Sequence, residues 1–324
     1  MRLRSLRERE LVAAIRRDFS AVKRGLVLGI GDDAAIIRAG RQNLLLTTDL
    51  LIEHAHFTTA LHPAFLLGRK SLNVNVSDIA AMGGRPRFAL LGLGLRRGLA
   101  EAWVEEFFSG FKEAAAENRV ALVGGDISGS RQICVSVTLV GEAETIVRRG
   151  GAHPGDIVFV SGSLGRAAAG LRLLRKGRRL GQNDWTDTLI GAFLDPVPRV
   201  RLGRELAERG LASAMIDMSD GLSVDLLHLC EESGCGADIE IARLPVSAEL
   251  LRLERNPERL ALHGGEDYEL LFAVPPRRLA GVSRIVRKHD LHPIGKIRRG
   301  RGISIVDRRG KKRPLPAKGF EHLG

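Results

Sequence analysis

The sequence is poor in aromatic residues, which form 4% of the chain, so it offers no stacking platform of the kind that grips single-stranded nucleic acid. Cysteine is scarce: Cys134, Cys230 and Cys235 form no CxxC pair, and three dispersed thiols supply neither a disulfide framework nor a zinc site. They read as reduced core or helix residues. No apolar run approaches the roughly 20 residues of a membrane span, and Met1–Glu10 is charged throughout rather than built as a signal peptide. The expected location is the cytoplasm, with no membrane partner. Internal repeats, coiled-coil heptads and low-complexity linkers are lacking. So are a complete GxGxxG or GxxxxGKS/T phosphate loop, a Ser-His-Asp order and a nucleophilic cysteine setting. His54 and His56 lack a third nearby nitrogen or sulfur ligand and read as surface or substrate-contact residues rather than as a metal pair.

Positive charge is abundant, at a net +12. A basic surface gains affinity for polyanions by counterion release. Much of the excess, however, lies in Arg-rich turns and ends, Arg172–Arg179 and Arg298–Arg313, with no aromatics interleaved. Nucleic acid is therefore a disfavoured partner, and the charge suits anionic small substrates. A length of 324 residues implies two domains, and 44% hydrophobic residues suffice for packed cores.

A short amphipathic helix opens the chain. Strands then follow over Val27–Ile37, interrupted by a Gly-Asp turn, and over Asn43–Leu51. Pro63 starts a helix that runs to about Met82 and stops at Gly83-Gly84. Phe88–Leu95, Val120–Val123 and Ile133–Ala143 read as strands, with Glu101–Asn118 a helix between the first two. The break at Gly150-Gly151 and Pro154-Gly155 divides the chain into expected domains 1–148 and 149–324. Beyond it, strands are expected at Asp156–Ser161, Ala214–Asp217, Ala237–Ile241, Tyr268–Val274 and Ile303–Val306, and helices at Leu164–Lys176, Arg199–Arg209 and Leu222–Ser233. The fold class is α/β, with two mixed α/β layers.

Acidic residues at strand ends and in Gly-rich turns carry the chemistry. They are Asp32-Asp33 in GIGDDAA, Asp49 after Thr47-Thr48, Asp78 after Ser77, Asp126 after Gly124-Gly125, and Asp217 with Asp220 in IDMSDG. Joining two phosphate groups brings anions together, so such a site needs positive charge. Mg2+ prefers oxygen ligands and takes only one or two carboxylates per ion, so scattered aspartates imply several ions. Each place also has a bland reading. Gly31-Asp32 and Gly124-Gly125-Asp126 read equally as turns, Asp49 as a cap or turn residue, and Asp220 as a helix N-cap. Asp78, inside an apolar helix, needs a partner. Ser161–Gly165 reads as a tight strand-to-helix connection more readily than as a phosphate loop.

Taken in order, GIGDDAA (29–35), TTD (47–49) with His56-Phe57, NVNVSDIAAMG (73–83), GGD (124–126), IDMSDGL (216–222) and GGEDYEL (264–270) resemble the thiamine-monophosphate kinase family. That family belongs to the superfamily of aminoimidazole ribonucleotide synthetase and selenophosphate synthetase. The resemblance implies two mixed α/β domains, with N-terminal sheets pairing in a homodimer and a C-terminal domain closing the cleft. It implies ATP as co-substrate and direct transfer to thiamine phosphate with no phosphoenzyme. It further implies Mg2+ ions among Asp33, Thr47, Thr48, Asp49, Asp78, Asp126, Asp217 and Asp220. ATP contacts are implied for Gly125, Asp126, Arg149 and Ser219, and thiamine phosphate contacts for His56, Glu266 and Phe320. Ile127-Ser128, where relatives commonly place a Thr pair, and His54, where a small residue is usual, depart from the pattern.

Overall fold

A computed structural model describes residues 8–18, 23–40 and 42–319 of the chain. Helix α1 (Glu8–Asp18) precedes β1 (Leu26–Leu28), β2 (Ala35–Ala39), β3 (Gln42–Ile52) and the long helix α2 (Ala64–Ala81). The first half is completed by β4 (Arg85–Arg96), α3 (Glu101–Asn118), β5 (Ala121–Ser130) and β6 (Cys134–Ala143). Its sheet runs β1-β2-β3-β6-β4-β5, antiparallel except for the parallel β4–β5 pair.

Side chains alternate across this sheet. Leu45 and Leu51 of β3, Ala89 and Leu91 of β4, and Val135 and Val137 of β6 are buried against Leu67, Leu72 and Ile79 of α2 and Phe107 and Phe111 of α3. The opposite face leaves Leu50, Phe88 and Leu90 exposed, and Val123 and Ile127 are exposed along the edge strand β5. Helices α2 and α3 cross at glycines: a Cβ on Gly68 would lie 2.0 Å from Phe107 O, and one on Gly110 1.8 Å from Phe65 O. Helix α2 ends where Gly83 turns left-handed at φ 75° and Gly84 N–H bonds back to Ile79 O at 2.8 Å.

The second half runs β7 (Ile157–Ser161), α4 (Arg166–Arg175), α5 (Asp184–Leu194), α6 (Val200–Glu208), β8 (Ala214–Asp217), α7 (Leu222–Glu232), β9 (Gly236–Glu240), α8 (Ala248–Leu253) and α9 (Pro257–His263). It closes with β10 (Leu270–Val274), α10 (Leu279–Ser283), α11 (Val286–His289), β11 (Leu291–Arg298), β12 (Gly302–Val306) and β13 (Lys312–Pro314). The sheet order is β13-β12-β9-β11-β7-β10-β8. Buried Val158, Ile216, Leu226, Ile239 and Leu271 fill one face, and Phe159, Leu206 and Phe272 the other.

The architecture is the expected pair of mixed α/β layers, with differences in detail. Gly124-Gly125-Asp126 lies inside β5 rather than in a turn; the register slips between Ala89 and Leu90, and Gly125, at φ 157°, lies so close to β4 that a Cβ would meet Leu91 O at 1.9 Å. Strand β11 escapes a pattern search because it holds Pro293 and Gly295, tolerated in a central strand by a bulge between them. Cys230 and Cys235 are buried free thiols on either side of a Schellman turn at Gly234, with Cys235 N–H to Cys230 O at 2.9 Å.

Candidate active site

Four segments far apart in sequence meet at one place. The turn between β1 and β2 brings Asp32 and Asp33, the helix-facing side of β3 brings Thr47 and Asp49, α2 brings Ser77 and Asp78, and β8 ends on Asp217. Carboxylate oxygens of Asp33, Asp78 and Asp217 lie within 4.8 Å of one another. Helix α2 organises the set. Its Asp78 accepts a hydrogen bond from Thr47 Oγ1, its Ser77 Oγ donates to Asp217 Oδ2 at 2.5 Å, and its Asn75 Oδ1 accepts from Asp49 N–H at 3.2 Å. Arg149, in the segment joining the two halves, pairs with Asp33 through its guanidinium, and its N–H donates to Asp32 at 3.1 Å.

The electrostatics of this cluster are unfavourable without a cation. Burial, then the charges of Asp49, Asp217 and Asp33, push Asp78 well above the usual carboxylate range. Burial and Asp33 raise Asp217 to about 8, and burial followed by Asp33 raises Asp32 to about 6. Burial raises Asp33 as well, against the opposing pull of Arg149. One oxygen of Asp33, Oδ2, is buried without a hydrogen-bond partner. An all-oxygen donor set with an orphaned carboxylate oxygen fits a hard divalent cation such as Mg2+.

Other expected site residues fall around this centre. Asp49 is mid-strand rather than in a turn, and Asp32 accepts Asp33 N–H at 3.0 Å within its own turn. Asp220 is not the α7 cap: Gly221 holds that position, and its N–H is taken by the buried carboxylate of Asp225 at 2.9 Å. Ser219 O accepts Glu266 N–H at 2.7 Å, which ties the GGEDYEL loop to the end of β8. His56 accepts Ile52 N–H through Nδ1 at 3.0 Å and so closes a turn that holds His54 at φ 71°.

Thr48 and Asp126 are not brought into the cluster. Both lie on the open face of the first sheet, Thr48 against Thr138 at 3.0 Å and Asp126 beside Gly92 in register. Phe320 lies outside the described residues. The chain just before it is clasped by Ser223, whose Oγ donates to Lys318 O at 3.1 Å and accepts Lys318 N–H at 3.2 Å. Gly319 then packs so tightly that a Cβ would lie 2.5 Å from Asp220 O.

Several side chains here carry no role legible in the sequence. Asp267 caps α4, accepting N–H from Gly165 and Ala167, so two of the amides at the start of that helix are already occupied and Ser161–Gly165 is a tight connection. Glu269 is fully buried and held by Arg199, Arg166 and Ser161. Lys70 of α2, only 2% exposed, pairs with Glu266 at 2.8 Å. Its signal was a polar stripe at i, i+3 and i+7 (Lys70, Asn73, Ser77) on a helix whose surroundings are apolar.

Two family descriptions match the chain: AIR synthase related protein, N-terminal domain, over residues 31–143, and AIR synthase related protein, C-terminal domain, over residues 153–308. Thiamine-monophosphate kinase of Aquifex aeolicus (strain VF5) is 39% identical over 327 residues, covering 100% of both chains. The Escherichia coli (strain K12) enzyme of the same name is 40% identical over 76% of each. A solved structure described as AaThiL complexed with AMPPCP and TMP superposes with a TM-score of 0.88 at 38% identity, covering 99% of both chains. The hydrogenase maturation protein HypE in complex with ATP, at 19% identity, a TM-score of 0.70 and coverage of 99% of this chain and 98% of its own, shares the fold.

Proposed function

The chain belongs to the thiamine-monophosphate kinase family of AIR synthase related proteins, and from that premise we propose that its acidic cleft passes the terminal phosphoryl group of ATP directly to the phosphate of thiamine phosphate, giving thiamine diphosphate. The observation that carries this reading is the convergence of Asp33, Asp78 and Asp217 within 4.8 Å, with charges that burial and mutual repulsion penalise. Such a cluster is suited to cations that arrive with a polyphosphate.

Asp33, Asp78 and Asp217, with Thr47, Asp49 and Asp220 at the rim, would hold Mg2+ ions, and Thr48 and Asp126 belong to the proposed ligand set from the open face of the sheet. Bound Mg2+ supplies neutralisation of phosphate charge and polarisation of the transferred group. Arg149, already paired with Asp33, and Ser219 are the proposed contacts of the nucleotide phosphates, with Gly125 and Asp126. His56, Glu266 and Phe320 form the acceptor side. The acceptor's phosphate oxygens are ionised before transfer, so no strong general base is required, and none of the residues named acts as a covalent nucleophile.

Thr48, Gly125 and Asp126 contribute through a homodimer in which a second copy covers the exposed Leu50, Phe88 and Leu90. Among the described residues no helix is long and apolar enough to cross a membrane, and we place the enzyme in the cytoplasm. The test is an assay with ATP, Mg2+ and thiamine phosphate that follows thiamine diphosphate by chromatography. Product should form, chelation of Mg2+ should abolish it, and free thiamine, whose neutral alcohol lacks the ionised nucleophile, should be a poor acceptor. Comparable turnover of thiamine and thiamine phosphate overturns the phosphate-acceptor reading.

A further inference from the structure

We propose that Lys70 is a positioning residue for the acceptor side: it reaches from the first half of the molecule into the second and holds the carboxylate of Glu266 in the orientation that meets the acceptor. The inference rests on the reading of Glu266 as an acceptor contact.

Lysine is almost never fully buried unless its charge is paired. Lys70 is 2% exposed, and the described groups that satisfy its ammonium all come from the other half of the molecule. Glu266 Oε1 lies 2.8 Å away, Phe193 O lies 3.0 Å away, and the Phe193 ring centroid sits 4.0 Å beneath the nitrogen. Ring and carbonyl fix the ammonium from the α5 side, and the ion pair with Glu266 is its contact on the other. A lysine stem has four rotatable bonds. Here burial removes that freedom, so the charge acts as a fixed post rather than a mobile surface cation.

Glu266 needs such a post. Its backbone is left-handed at φ 68°, and Tyr268 two residues on is likewise at φ 49°, conformations that cost energy for residues with a Cβ and persist where the surroundings over-determine them. The backbone is tied by Glu266 N–H to Ser219 O at 2.7 Å, and the side chain by Lys70. The Glu266 side chain remains 28% exposed, so the carboxylate has one side against Lys70 and another accessible.

Pairing also changes what the acid offers. A lone carboxylate attracts any cation from any direction, whereas a carboxylate already neutralised by an ammonium selects through the direction of its remaining lone pairs. Selection of a cationic heterocycle then depends on where the oxygen points, and Lys70 sets that. Because the pair bridges α2 and the GGEDYEL loop, the acceptor side is complete only when the two halves are together.

The experiment compares wild-type protein with Lys70→Met, Glu266→Gln and the double variant, measuring kcat, both Michaelis constants and melting temperature. Lys70→Met should raise the Michaelis constant for thiamine phosphate about tenfold or more, within the range of a lost hydrogen bond to a charged group. That for ATP should stay within about twofold. In the Glu266→Gln background the same substitution should add less than about twofold, because its effect runs through Glu266.

A purely structural lysine would lower the melting temperature and leave the acceptor constant in place. That result, or equal weakening of ATP, or effects that multiply in the double variant, overturns the proposal. If Lys70→Met does not fold, Lys70→Gln, which keeps a donor for Phe193 O without the charge, is read by the same criteria. If Glu266→Gln alone leaves the acceptor constant unchanged, the placement of the acceptor pocket fails. If it raises that constant while Lys70→Met does not, only the role of Lys70 fails.

Discussion

Asp78 is a half-buried carboxyl, with Asp49, Asp217 and Asp33 as acidic neighbours and the Thr47 hydroxyl as its hydrogen-bond donor. Its raised pKa means that the folded protein without metal resists its ionisation. Replacing it by Asn keeps an acceptor for Thr47 and removes a carboxyl that ionises more readily in the unfolded chain than in the folded one, which costs stability at neutral pH. Asp78→Asn should therefore raise the melting temperature in the presence of chelator, by about 1–2 °C if roughly 1 kcal/mol is regained. It should also lower turnover by at least about a hundredfold at saturating Mg2+, since a lost metal ligand removes charge stabilisation worth several kcal/mol. Thermal melts with chelator and steady-state assays check both. Near-normal turnover counts against the metal assignment, and a lower melting temperature against the repulsion argument. Function at this site is thus predicted to cost stability, as is common where charge is gathered for catalysis.

Helix α2 is the element on which the site depends. Along one buried helix it carries Lys70 toward the acceptor loop, and Asn75, Ser77 and Asp78 toward β3 and β8. Its depth in the sheet is set by α3, which approaches through Gly110, where a Cβ would stand 1.8 Å from Phe65 O. Backbone on backbone cannot be relieved by a rotamer change, so Gly110→Ala must push the helices apart. The expected loss is about 1–3 kcal/mol or somewhat more, read as a lower denaturant midpoint at unchanged slope. Turnover should fall by more than the unfolded fraction explains, because Asp78 moves with α2. Stability within a few tenths of a kcal/mol of wild type would show that the crossing is looser than this geometry.

At the scale of the whole molecule, the open face of the first sheet is the surface given to the proposed homodimer. Leu50, Phe88 and Leu90 lie on it exposed, and the same face presents Thr48 and Asp126, which lie apart from the acidic cluster. Exposed apolar faces of this kind mark association sites, and the proposed homodimer covers this one. Leu90→Asp should then shift the protein from dimer to monomer in sedimentation at micromolar concentration and lower its activity, while circular dichroism stays unchanged. A variant with wild-type sedimentation and turnover would remove both the interface and the role given to Thr48 and Asp126.

The sequence by itself determined the class of fold and the kind of chemistry. Hydrophobic period, Gly and Pro punctuation and the ordered acidic motifs are local signals, and they marked α2, β3, β8 and the residues Asp33, Asp49, Asp78 and Asp217. Strand β11 stayed hidden because a proline and a glycine at its bulge erase the alternation by which a strand is recognised. The tertiary structure alone decided which acids share a site. Thr47 and Thr48 are neighbours in the chain, yet the pleat sends one to Asp78 and the other to the far face of the sheet. Asp267 and Glu266 are neighbours too, but one is consumed in capping α4 and the other is aimed by Lys70. Nothing local distinguishes the members of either pair, because the deciding partners come from segments remote in sequence, and only packing brings those segments into contact.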